Sequence, residues 1–72
     1  MTPPKPWKID REGHVIDRAT GDVVGVIRPE REWAGWYWES HINGRFWGAG
    51  RCSSRQVAAA LVWAAHIERT GK

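Results

Sequence analysis

The chain has 72 residues, a single cysteine, six tryptophans and a formal charge of +3 at pH 7. A chain this short buries only roughly 60% of its unfolded surface, which points to one small domain, and the lone Cys52 excludes a disulfide framework within the chain. The longest apolar run, Val57 to Ala65, falls well short of the ~20 residues of a membrane span. The start, MTPPKPWK, lacks the apolar core of a signal peptide, so the expected compartment is the cytoplasm.

Taken in order, residues 1–6 carry three prolines and read as a flexible, extended arm. Residues 7–70 read as the compact domain. Trp7 to Asp10 suits a short strand, with Arg11-Glu12-Gly13 as the turn after it. His14 to Asp17 reads as a strand and Ala19-Thr20-Gly21-Asp22 as a loop. Val23 to Arg28 has the β-branched content of a central strand. Pro29 is expected to end that strand, with Pro29 to Glu32 as a charged loop.

Asn43-Gly44 is the strongest turn signal, because a two-residue type I′ loop needs positive φ at both positions. Aromatic-rich runs flank it, Trp33 to His41 and Arg45 to Arg51. With Ile42 facing Arg45, a regular register sets Ser40 opposite Trp47, Trp38 opposite Ala49 and Trp36 opposite Arg51. One face then carries Ala34, Trp36, Trp38, Ser40, Ile42, Arg45, Trp47, Ala49 and Arg51. The other carries Trp33, Gly35, Tyr37, Glu39, His41, Phe46, Gly48 and Gly50.

A helix follows. Ser53 is the expected N-cap, with Gln56 three residues on to complete a capping box. Thr70-Gly71 is the expected stop, with Arg69 in the last turn where the helix dipole favours a cation. At 100° per residue the apolar positions fall into two arcs. Val57, Ala58, Leu61, Val62 and Ala65 form one; Ala60, Trp63 and Ile67 form the other. A small sheet covers only one arc, so the second must meet the N-terminal segment, a partner or water. The fold class is therefore α+β: a three- or four-stranded antiparallel sheet followed by one C-terminal helix packed across it.

The sequence offers little for catalysis or metal binding. His14, His41 and His66 are scattered, and with one cysteine they make no zinc pattern. Cys52 and His41 map near one sheet face, but no third group or oxyanion loop accompanies them, and a buried cysteine is most often a small hydrophobe. Gly44, Gly48 and Gly50 lie in a hairpin rather than between a strand and a helix, so they are no phosphate loop. No catalysis, cofactor, metal, membrane contact or small-molecule substrate is expected.

Charge is uneven. Residues 1–40 carry six basic and seven acidic groups, net −1; residues 41–72 carry five basic and one acidic, net +4. Arg45, Arg51 and Arg55 fall in a window with no acid between them, so a positive patch is expected on the second half of the hairpin and the helix start. If Trp36, Trp38 and Trp47 face the small alanines of the helix, they are core. If the sheet is turned over, they form an exposed aromatic surface with Arg45 and Arg51. Apolar content favours the first arrangement. In both, the rings exceed what one helix covers, and exposed aromatics beside arginine mark binding sites.

Gly25-Val26, then Asn43-Gly44-Arg45-Phe46-Trp47, then Ser53-Ser54-Arg55-Gln56-Val57-Ala58-Ala59 together resemble the AP2/integrase-arm type of DNA-binding domain, over about residues 23–68. That resemblance implies a three-stranded sheet laid in the major groove and braced by one helix. It also implies base and backbone contacts from Arg28, Arg45 and Trp47. The chain departs from the family pattern at Gly48, where a bulky residue is usual, at Arg51, where an aromatic is usual, and between Trp36 and Ser40, which carries no arginine.

Two functions follow. The first is a small non-catalytic nucleic-acid-binding protein, with Arg45, Arg51 and Arg55 meeting phosphates, Trp47 with Trp36 or Trp38 meeting bases or sugars, and Arg28 added by the resemblance. The second is a protein-interaction module or inhibitor of the phage or mobile-element accessory type. It would dock through the Trp-rich sheet or through Ala60, Trp63 and Ile67, on a protein partner or as a homo-oligomer.

Overall fold

The computed structural model describes residues 5–30 and 35–70. Residues 1–4 of the expected arm, residues 31–32 of the expected loop, Trp33, Ala34 and Gly71 lie outside the described residues. Five strands, β1 (Trp7–Ile9), β2 (His14–Asp17), β3 (Val23–Glu30), β4 (Gly35–Ile42) and β5 (Arg45–Cys52), precede one helix, α1 (Arg55–Thr70). The strands form a single antiparallel sheet in sequence order. The class is α+β as expected, with five strands in place of three or four. The extra pairing is β1 on β2, Trp7 with Asp17 and Ile9 with Val15. A three-residue strand holds because Trp7 is only 8% exposed and belongs to the core.

The turns follow local chemistry. Asp10 Oδ1 accepts from the backbone N–H groups of Glu12 and His14, both at 2.9 Å, and Gly13 takes a φ of +86°. In the β2–β3 loop Asp17 Oδ1 accepts from Ala19 N at 2.8 Å, and Gly21 has a φ of +80°. Asn43 and Gly44, at φ 54° and 77°, make the expected hairpin loop.

Three boundaries differ from expectation. β3 runs through Pro29 to Glu30. Ile27 N donates to Gly13 O at the β2 end of the sheet, and Pro29, two residues on, turns its nitrogen to the same side, past the last β2 partner at His14. No ladder bond is lost there, so proline is tolerated. The helix cap is Ser54, not Ser53: its Oγ accepts from Val57 N at 3.1 Å and its carbonyl from Ala58 N at 3.0 Å. Gln56 therefore closes no capping box, and its Oε1 instead accepts from Lys5 Nζ at 2.8 Å. Lys5 and Pro6, placed in the arm by composition, are joined to the domain by this bond and by Arg18 N to Pro6 O at 3.0 Å.

The third difference is the β4–β5 register. Ile42 pairs with Arg45 and His41 with Phe46, but Ser40 pairs with Gly48, leaving Trp47 as an extra residue in a bulge. A one-residue shift moves every later side chain to the other face. Gly48, Gly50 and Cys52 therefore share the helix-covered face with Ser40, Trp38 and Trp36. Ala49 and Arg51 share the open face with Glu39 and Tyr37.

The helix packs across the face bearing Val15, Val24, Ile27, Trp36 and Trp38. Its inner positions are Ala58, Ala59 and Val62, all fully buried, and burying side chains of the size of Val15, Ile27 and Val62 is worth roughly 1.5–3 kcal/mol each. Approach is closest at Gly25, where an added Cβ would overlap Val62 and the Glu39 carbonyl. The two helix arcs resolve unequally. Trp63 packs against the core cluster, Ile67 is half-buried and Ala60 is exposed. Val57, assigned to the inner arc, is 45% exposed.

Candidate functional site

The sheet has one face under the helix and one face open, and the pairing decides what each presents. On the open face Val26 lies opposite Glu39, Arg28 opposite Tyr37 and Tyr37 opposite Arg51. The Arg28 guanidinium stands 4.3 Å from the Tyr37 ring centroid. Tyr37 Oη donates to Glu39 Oε1 at 2.8 Å, and His41 Nε2 lies 3.0 Å from Glu39 Oε2. An ionised carboxylate only accepts, so that histidine nitrogen carries its proton. The bond from His41, then the one from Tyr37, holds the Glu39 carboxyl below its ordinary range. Burial, then the bond to Glu39, pushes the Tyr37 phenol up. Arg51 Nε meets Glu30 Oε2 at 3.2 Å. The arginines of this face are thus matched by Glu30 and Glu39.

The hairpin tip is different. Phe46 is 61% and Trp47 47% exposed. The bulge brings both into one shallow cleft with Ile42, Asn43, Arg45 and Arg69. The Arg69 guanidinium carbon stands 3.4 Å from the Trp47 ring centroid, and His41 meets Phe46 edge-on at 6.3 Å. Among the described residues, no acidic side chain lines this cleft. Arg69 reaches it because the lengths match: a sixteen-residue helix rises about 24 Å and an eight-residue strand about 26 Å. A helix that starts where β5 ends therefore finishes beside the tip where β5 began.

No family model, curated protein or solved structure matches this chain.

The residues singled out in the sequence separate into four places. Arg45 and Trp47 meet at the tip. Arg28 and Arg51 stand on the open face. Arg55 sits at the helix start, bordering clefts with Trp7, Lys8, Arg28 and Trp36. Trp36 and Trp38 pack against the core cluster on the helix side, the arrangement that apolar content favours, and so do not form the alternative exposed aromatic surface with Arg45 and Arg51. Cys52 and His41 lie on opposite faces of the sheet, correcting their proposed proximity; Cys52 Sγ is 3.3 Å from Ser54 O. Ala60, Trp63 and Ile67 do not form one exposed patch. Trp63 and Ile67 instead border a groove of about 590 Å³ with Pro6, Asp17, Asp22 and His66.

Sequence reasoning missed Phe46 and Arg69. Phe46 was set on the right face but not recognised as a partner of Trp47, since nothing local announced the bulge. Arg69 was legible through the length comparison above. Among the described residues no group of three or more His, Cys, Asp or Glu side chains is placed to hold a metal ion, and no helix is long and apolar enough to cross a membrane.

Proposed function

We propose that the protein is a small, non-catalytic nucleic-acid-binding protein of the cytoplasm that makes contact through the tip of its β4–β5 hairpin. The observation that carries the reading is the exposed pair Phe46 and Trp47, set between Arg45 and Arg69 in a cleft that no carboxylate lines among the described residues. Rings left this open in water offer π surface to bases, and the two guanidinium groups offer charge to phosphates. The net charge of +4 on residues 41–72 acts in the same direction. Intrinsic tryptophan fluorescence, titrated with random-sequence DNA at low and then moderate salt, tests it. Saturable quenching that weakens with salt and is lost in the Arg45→Ala, Trp47→Ala double variant is the expected result. No change with any DNA at low salt overturns it.

A second reading, a protein-interaction module, is favoured by the groove beside Trp63 and Ile67 and by the charge-matched open face. Binding of that kind weakens little with salt. Ala19→Glu, a charge on an exposed residue lining that groove, would abolish it while leaving DNA binding intact.

A further inference from the structure

We infer that the hairpin tip takes an unpaired nucleic-acid strand, with roughly two or three nucleotides stacked on Phe46 and the free side of Trp47, and that no duplex lies across the sheet. This rests on the nucleic-acid reading above and narrows its ligand.

A duplex needs a broad cationic surface, and the open face of the sheet is the broad surface available. Its cations are compensated. Arg51 is paired with Glu30 at 3.2 Å, and the Glu39 carboxylate, held by Tyr37 and His41, stands mid-sheet beside Arg28 and Tyr37. Phosphates running over that face would meet two carboxylates as well as two arginines. At the tip the cleft that holds Arg45 and Arg69 is lined by no acidic side chain among the described residues, and the surface between them is aromatic.

Stacking on a side chain requires a base whose own π face is free. In a duplex those faces are filled by neighbouring base pairs; in a single strand they are open. Arg69 covers one side of the Trp47 indole at 3.4 Å. The other side is left for a base, with a guanidinium stacked behind it. With two arginines to meet phosphates, the affinity for a single strand should fall with salt at a logarithmic slope of only about −1.4.

The test uses labelled oligo-dT of about twelve nucleotides and its duplex with oligo-dA, followed by anisotropy at about 50 mM and about 200 mM salt. The expected result is single-strand binding at least about tenfold tighter than duplex binding, lost about tenfold in both Phe46→Ala and Phe46→Leu. The leucine variant keeps apolar bulk but removes the ring, and far-UV circular dichroism checks that both variants fold. Duplex binding as tight as single-strand binding, weakened by Arg28→Ala or Arg51→Ala, overturns this inference and leaves standing only that the protein binds nucleic acid, by the sheet face in place of the tip. Single-strand binding indifferent to Phe46→Ala does the same. Failure of both probes to bind at the lower salt overturns both.

Discussion

The Trp38 indole lies against the backbone of Gly50, so closely that a Cβ added to Gly50 would stand 2.8 Å from Nε1 and 3.0 Å from Cε2 and Cζ2. Trp38 projects from β4 across β5 and is packed against the core. Gly50 is therefore a seat for a ring, and Trp38 is held half-buried against the core.

Gly50→Ala should cost about 1–3 kcal/mol, the usual penalty for overpacking. In a Trp38→Leu background the same change should cost much less, since the new methyl would meet a smaller, more mobile side chain. A urea-denaturation double-mutant cycle measures the coupling. Additive effects would show that the indole is not what constrains Gly50.

Gly25 is constrained from two sides, by Val62 of the helix and by the Glu39 carbonyl of β4. Gly25→Ala should destabilise by at least as much as Gly50→Ala. Truncation by Val62→Ala should fail to rescue it, because the carbonyl is backbone and does not yield. A double variant with the same urea midpoint as Val62→Ala alone would show that helix packing alone sets the limit.

Much of this was legible in the sequence. Asn43-Gly44 announced its hairpin, and each of the five strand segments was visible as a short run between turn residues. The count fell short because Trp7 to Ile9 is too short to stand as a strand without the burial of Trp7, which is a tertiary fact. Pro29 misled because its effect depends on whether a neighbouring strand reaches that far, and β2 ends first. The largest loss came from the bulge at Trp47. A regular register put Arg51 with the tryptophans, whereas the extra residue turned it to Tyr37 and Glu30. No local residue preference encodes that insertion, so the separation of the site into an aromatic tip and a charge-matched face could not be read in advance.

Ser40 is fully buried beneath the helix, and its Oγ has no hydrogen-bond partner among the described residues. An unsatisfied buried hydroxyl costs about 1–3 kcal/mol in desolvation. Ser40→Ala removes that cost and leaves only a small void, so it should stabilise by about 1 kcal/mol in urea denaturation. A loss of that size would mean that the hydroxyl finds a partner after all.

Glu39 sets an acid-side dependence of stability. Its folded carboxyl is held below the ordinary range, first by His41 and then by Tyr37. A group depressed on folding binds fewer protons in the native state, so its contribution is complete above the unfolded value of about 4.3 and is lost as pH falls through the lower folded value. Glu39→Gln should therefore lower the urea midpoint at neutral pH and flatten its fall below about pH 5. Some acid sensitivity should persist, because the backbone N–H of His14 leads in holding the Asp10 carboxyl low as well. Adding Asp10→Asn should remove most of that remainder. If Glu39→Gln keeps the wild-type slope through the acid limb, the bonds from His41 and Tyr37 contribute nothing to folding, and the open face is merely charge-matched.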